Sequence, residues 1–343
     1  MWLGFDYFFR GGAMKKILIS GGAGYIGSHT VQALAEAGYG PVVLDSLISG
    51  HRKAVGESIP FYQGDIADAG LVTDIIKKEE VRAVIHFAAR SLVGESVQKP
   101  DLYFEENTAK TNRFVSTLLQ CGVNTIVFSS TAATYGNPEE IPIPEESHTE
   151  PINPYGASKL MIEQSFYWLE QAYGLKWMAL RYFNAAGAAW DGSLGEDHTT
   201  ETHLIPLVLK TVLEQREAIS IFGTDYKTPD GTCVRDYIHV LDLAEAHIRA
   251  LEALEQGIPC GAYNVGTGTG YSVREVIAMA GKVTGLDIPV LEAPRREGDP
   301  DRLVAKVEKI QRRLGWQARY SDLETIIKTA WQWHQKHPHG YGD

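Results

Sequence analysis

Lys16–His29 reads KILISGGAGYIGSH: a short apolar run, then Gly21-x-x-Gly24-x-x-Gly27, then an apolar-periodic stretch that stops before Gly38. KILIS has the length and composition of a buried strand, and the spacing after it is helical. Glycines at a strand-to-helix junction let the backbone turn tightly and approach a pyrophosphate at the positive end of the helix. Asp45 closes the next apolar run, PVVLD, where a carboxylate would hold an adenosine ribose diol and repel a 2′-phosphate. The pattern predicts a dinucleotide site that prefers NAD to NADP.

Outward from this unit the same alternation continues. VRAVIHFAA, NTIVFSS and KWMALRYFN read as further strands, separated by amphipathic stretches such as DLYFEENTAKTNRFVSTLLQCG, whose Gly122 stands where a helix-terminating glycine belongs. Strand–helix alternation predicts an α/β fold with a doubly wound parallel sheet. After Asn184 the rhythm changes to a Gly-, Asp- and Thr-rich segment interrupted by one helical pattern, ETHLIPLVLKTVLEQ. Residues 14–184 therefore read as the dinucleotide-binding domain, with a return segment at about 238–268 (VLDLAEAHIRALEAL, then AYNVGTG). Residues 185–237 and 269–343 read as a smaller substrate lobe, with the cleft at the strands' carboxyl ends. Met14 opens MKKILIS, so the aromatic-rich residues 1–13 read as a leader or tag outside the fold.

Bulk properties narrow the partners. The chain has 343 residues, 44% hydrophobic and 22% charged, with a formal net charge of −11. That balance argues against nucleic acid, which needs a basic face, but admits a small anionic ligand held by a few arginines. No apolar run approaches the ~20 residues of a membrane span, so no membrane partner is expected. Cys121, Cys233 and Cys260 have no paired spacing, which suits a reduced, cytoplasmic setting.

The segment NPYGASKL, Asn153–Leu160, sets Tyr155 one helical turn before Lys159. Residues at i and i+4 share a helix face, within about 6 Å at Cβ. On a surface this is an ordinary neighbour pair; in a cleft the ammonium favours the phenolate and makes tyrosine a base near neutral pH. FSSTAATYG places Ser129, Ser130 and Thr131 at a strand end beside the same cleft. Asp65 and Ile66 follow the third strand, where an adenine clamp is expected, and the small Ala88 and Ala89 suit a backbone lying close to a dinucleotide. His86 reads as a hydrogen-bonded strand-end residue, not a catalyst.

These features together with YIGSHT, VGESVQKP, RYFNAAGA, GEDH, VRDYIHVLDLA, YNVGTGTGYSV and APRREGDP resemble the UDP-sugar 4-epimerase branch of the extended short-chain dehydrogenase/reductase family, from about Lys15 to the C terminus. The resemblance implies a Rossmann-like fold, tightly held NAD, and reversible epimerisation of UDP-galactose to UDP-glucose through a transient 4-keto sugar, in galactose metabolism. By the same resemblance Tyr155, Lys159 and Thr131 are catalytic, with Thr131 hydrogen-bonding the reacting oxygen. Tyr25, Ile26, Phe87, Asn107 and Tyr182 join the residues above, Tyr155 and Lys159 included, around the cofactor. Asn184, His203, Leu204, Phe222, Tyr237, Asp299 and Leu303 contact the UDP-sugar along with Thr131. Arg235 and Arg296 look like the diphosphate clamp, since guanidinium forks suit phosphate oxygens. Relatives pair through two helices per subunit, implying a homodimer.

Threonine stands at 131 where many relatives carry serine, and Ser91 stands where many carry a lysine able to touch the nicotinamide ribose or amide. Leu303 occupies a position where glucose-restricted relatives can place tyrosine, so N-acetylated UDP-sugars become possible substrates. Dehydratases and decarboxylases of the same fold need a carboxylate after the active-site hydroxyl, and here Thr131 is followed by Ala132, Ala133 and Thr134. A catalytically silent NAD sensor would usually lack the tyrosine or the lysine. The Asp and His side chains of GEDHTTETH have ligand chemistry, but the implied reaction needs no metal and none is expected.

Overall fold

The computed structural model describes residues 14–296 and 299–342; the expectation for residues 1–13 lies outside them. Its strands are β1 (Lys16–Ser20), β2 (Gly40–Asp45), β3 (Phe61–Gln63), β4 (Ala83–His86), β5 (Thr125–Thr131), β6 (Lys176–Tyr182), β7 (Asn184–Ala186), β8 (Ile219–Phe222), β9 (Val234–His239), β10 (Gly261–Val265), β11 (Gly270–Ser272), β12 (Val290–Ala293) and β13 (Arg302–Leu303). Seven of them form one sheet in the order β10-β6-β5-β4-β1-β2-β3, every neighbouring pair parallel. The order reverses between β1 and β4, and in open sheets of this type ligands sit outside the strand ends at that reversal.

The strand residues divide by period two between the sheet's faces. Ile17, Ile19, Val43, Ile85 and Val127 pack under the helices Tyr25–Glu36 and Val240–Glu255. Leu18, Val42, Leu44, Val84, Ile126 and Phe128 pack under the helices Ala69–Glu79, Lys110–Gln120 and Pro154–Tyr173. Burial on both faces explains why these strands read as unbroken apolar runs.

One expected element differs. The stretch from Pro100 to Gln120 is a short helix to Tyr103, a π-helical turn over Phe104–Ala109 and a second helix from Lys110. The π turn seats Asn107, fully buried, against the Pro154–Tyr173 helix, a device frequent at functional sites.

The chain after β6 builds the smaller layer. β7, β11 and β13 flank β9, while β8 and β12 pair separately. The Val240–Glu255 helix and β10 return to the large sheet beside β6. Buried Asp236 joins the layers: it accepts from Thr267 N and Oγ1, Gly268 N and Ala305 N at 2.7–3.1 Å. Among the described residues no helix is long and apolar enough to cross a membrane.

Candidate active site

The glycine loop is built by backbone contact. Gly21 has φ +76°, and a Cβ there would lie 2.5 Å from Ala88 N; a Cβ on Gly27 would lie 2.1 Å from Gly21 O. Both glycines are therefore demanded by the chain's own packing. Gly24 is not: its φ is −79°, and a Cβ would meet Gly21 O at an ordinary 3.5 Å. Gly24 also caps the Tyr25–Glu36 helix without any side-chain acceptor, so first-turn N–H groups are left for an anion. A pyrophosphate fits this arrangement.

Asp45 is buried and tied to the loop. One carboxylate oxygen accepts from Ala23 N at 2.9 Å, the other from Leu47 N at 2.8 Å. Burial raises its pKa, while those two N–H groups and His51 oppose the rise. Asp65 accepts from Ala67 N at 2.8 Å and pairs with Lys110 at 2.6 Å, with Ile66 buried beside it. Phe87 and Ala88 both donate to Ser20 O, and Asn107 holds Arg90 through its N–H (2.8 Å) and carbonyl (3.0 Å). Asn107 thus fixes the Ala88–Ser91 loop against Ser158, which it reaches at 3.0 Å. His86 bonds Ser20 Oγ and Thr111 Oγ1, and burial, with Lys159 nearby, pulls its pKa down to about 3. It is structural, as read from the sequence.

The helix Pro154–Tyr173 starts at Asn153, whose side chain accepts from Gly156 N, with Pro154 in the first turn. This start aims Tyr155 and Lys159 at the end of β5. Lys159 Nζ donates to Ser129 O at 2.9 Å and lies 6.0 Å from the Tyr155 ring centroid. Burial pulls its pKa to about 7 while Glu163 resists. Burial raises the Tyr155 pKa, and a hydrogen bond with Thr131 acts in the opposite direction. Tyr182 also donates its hydroxyl to Ser129 Oγ. Sequence reasoning missed the network behind Lys159, in which Glu163 accepts from Ser130 and from Nε and Nη2 along one edge of the buried Arg181 guanidinium. The signal was present as Glu163 one turn beyond Lys159.

The other wall comes from the smaller layer. Strand pairing sets Asn184 beside Tyr237 and Leu303 beside Arg235. Arg235 is engaged by Asp299, and the Arg296 guanidinium lies 4.0 Å from the Phe222 ring centroid. Leu303 packs against Ala132, Tyr135 and Ile143, just past Thr131. Leu204 begins the Leu204–Val212 helix behind His203 and packs into the small-layer core. His203 Nδ1 bonds Glu196, and His198 joins the same carboxylate at 3.3 Å. Burial disfavours charge on His198, yet Glu196 and Glu201 raise its pKa to about 10. Asp197 takes no part in this group; it faces His51 and Tyr341 N. Tyr25 joins the walls by donating to Gly187 O at 2.7 Å.

The profile of the NAD dependent epimerase/dehydratase family matches residues 17–266. The chain is 54% identical over 325 residues to a UDP-glucose 4-epimerase of Halalkalibacterium halodurans, covering 95% of this chain and 97% of that one. It superposes with TM-score 0.94 on a crystal structure of UDP-glucose 4-epimerase at 49% identity, covering 96% of this chain and all of the other. The UDP-glucose 4-epimerase of Brucella ovis in complex with NAD gives TM-score 0.90 at 46% identity, covering 92% and 97%.

The glycine analysis separates two roles. Gly27→Ala forces backbone apart and is expected to cost about 2–3 kcal/mol in denaturant unfolding. Gly24→Ala is expected to change stability by no more than about 1 kcal/mol, yet to lower the dinucleotide content of the purified protein. Equal losses of stability in the two variants would contradict the assignment of Gly24 to the ligand.

Proposed function

The chain belongs to the NAD dependent epimerase/dehydratase family, and from that premise we propose that it catalyses the reversible epimerisation of UDP-galactose to UDP-glucose at the sugar's fourth carbon, with NAD as its resident cofactor. The observation that carries this reading is the meeting of Tyr155, Thr131 and Lys159 at the end of β5, with no carboxylate among the three residues after Thr131. A site with Tyr155 as its proton acceptor and no carboxylate following Thr131 suits epimerisation and not elimination.

Gly21, Gly24, Gly27 and the helix start at Tyr25 and Ile26 would hold the pyrophosphate, and Asp45 the adenosine ribose. Asp65 and Ile66 would flank the adenine, with Phe87, Ala88, Ala89 and Asn107 shaping the path to Tyr155, Lys159 and Tyr182. NAD supplies a reversible hydride acceptor for the sugar's fourth carbon. Tyr155 takes the proton of the sugar's 4-hydroxyl and returns it, so that one group serves both directions. Thr131 hydrogen-bonds the same oxygen. With Tyr155 pushed up by burial, its ionisation needs added positive charge, and Lys159, poised near neutrality, is the group in this chain that provides it. Arg235 and Arg296 would grip the UDP diphosphate, Asp299 yielding Arg235 to it. Phe222, Tyr237, Asn184, His203 and Leu204 complete the UDP-sugar wall. Residues 14–184 with the return segment thus serve NAD, and the smaller layer serves the UDP-sugar.

Free Cys121, Cys233 and Cys260 favour a cytoplasmic location, which recovery of the chain in an extracytoplasmic fraction would contradict. Exposed apolar side chains on adjoining helices support a homodimer: Val93 and Val97 on Val93–Gln98, and Met161 and Trp168 seven residues apart on Pro154–Tyr173. Trp168→Glu is expected to shift the species seen by analytical ultracentrifugation from dimer toward monomer; an unchanged dimer would place the interface elsewhere.

Tyr155→Phe is expected to retain NAD and fold while kcat falls by about 10²–10⁴-fold. A variant keeping more than half the wild-type rate would remove Tyr155 from proton transfer. Leu303, half-buried beside Ala132 and Tyr135, is smaller than the tyrosine that glucose-restricted relatives can place there. Wild-type protein is expected to epimerise UDP-N-acetylglucosamine measurably, and Leu303→Tyr to lower kcat/KM for that substrate about tenfold or more relative to UDP-glucose. Brisk turnover of UDP-galactose with none of the N-acetylated sugar in wild type would refute the role of Leu303.

A further inference from the structure

Glu196, His198, Glu201 and His203 converge to a degree that the epimerase reaction does not require. Glu196 Oε1 lies 3.3 Å from His198 Nδ1 and bonds His203 Nδ1, while Glu201 Oε2 lies 3.5 Å from His198 Nδ1. The four candidate ligand atoms all fall within 4.8 Å of one another. In a tetrahedral shell with bonds of about 2.0–2.2 Å, neighbouring ligand atoms stand about 3.4 Å apart; the two His198 contacts, 3.3 and 3.5 Å, bracket that spacing, while His203 Nδ1 is in direct hydrogen bond with Glu196 and would move outward to admit an ion.

Glu201 supplies an independent sign. Its side chain is only 5% exposed. One oxygen, Oε1, accepts from the backbone N–H groups of Thr202 and His203 at 2.8 Å each, which fixes the carboxylate. The other, Oε2, is buried and accepts no hydrogen bond; its nearest polar neighbour is His198 Nδ1, in an ion-pair contact at 3.5 Å. A buried carboxylate oxygen without a donor is costly unless a cation satisfies it. Beside it the Glu196 side chain is 4% exposed, so two buried carboxylates stand side by side. The His203 side chain, 49% exposed, leaves a way in from solvent.

We propose that Glu196, His198, Glu201 and His203 form a binding site for one divalent cation of the zinc class, held by one oxygen of each carboxylate and by the two Nδ1 atoms. Two imidazoles and two carboxylates are a donor set that zinc accepts, and the carboxylates balance its charge. The ion links the Glu196–Glu201 loop to the residue that precedes the Leu204–Val212 helix, and His198 in turn stacks edge-on to Tyr25 at 6.5 Å on the glycine-loop helix. Occupying Nδ1 of His203 leaves its Nε2–H as the donor facing outward. The site is a structural brace at the rim of the cleft and takes no part in hydride or proton transfer. It stands independently of the catalytic reading.

The test uses NAD-loaded, untagged protein stripped with EDTA, dialysed and titrated with zinc chloride by calorimetry, with metal counted by plasma mass spectrometry. One ion per chain with a Kd of about 1 μM or tighter is expected, with a rise in Tm on loading. Glu201→Gln keeps the backbone contacts at Oε1 and, like His198→Ala, is expected to weaken that site about tenfold or more while NAD content stays at the wild-type level. Two results overturn the proposal: no zinc retained at micromolar concentration, or zinc bound equally tightly by both variants, which would assign the ion to other histidines and leave the cluster a set of paired charges.

Discussion

The structure depends first on a place where backbone touches backbone. Gly21 turns against Phe87 and Ala88 at the end of β4, and Gly27 in the first helix packs on the Gly21 carbonyl. No side chain fits between them. This contact joins β1, the first helix and β4 at the point where the sheet order reverses, and so it creates the crevice at the strand ends. Asp45 completes the corner by binding Ala23 N and Leu47 N. With that corner fixed, β5 delivers Thr131 and the Pro154–Tyr173 helix delivers Tyr155 and Lys159 to the same rim.

Burial at the rim disfavours charge on both Tyr155 and Lys159. Burial pulls the Lys159 pKa to about 7 and raises that of Tyr155. The buried Ser130–Glu163–Arg181 network beneath holds Lys159's helix against β5 and β6 and resists the loss of its proton. A phenol in such a place serves poorly as a base on its own. Under the proposed function, positive charge entering the crevice with the cofactor would favour its phenolate and tie proton transfer to cofactor occupancy.

The parallel sheet was legible because burial on both faces leaves unbroken apolar runs such as Ile17–Ile19 and Ile126–Phe128, and because Gly21, Gly24 and Gly27 mark a strand-to-helix corner by spacing alone. The pairing of Tyr155 and Lys159 on one helix face was legible for the same local reason. What escaped was set by long-range packing. The π turn at Phe104–Ala109 has no period of its own and exists because Asn107 must reach Arg90 and Ser158. The direction of Lys159's ammonium is decided by a carbonyl on another strand. In GEDHTTETH the ligand-type residues were visible, but only the fold shows that Asp197 turns away while Glu196 and His203, seven residues apart, come together.

The central claim is that this crevice holds its own hydride acceptor and one tuned base, and so performs a complete epimerisation without a consumed reductant. The most direct measurement incubates purified protein with UDP-galactose and no added NAD and follows UDP-glucose by chromatography. Conversion over many turnovers to a stable mixture of the two sugars, reached also from UDP-glucose, is the predicted result. No conversion from either sugar, with or without supplied NAD, would contradict the account.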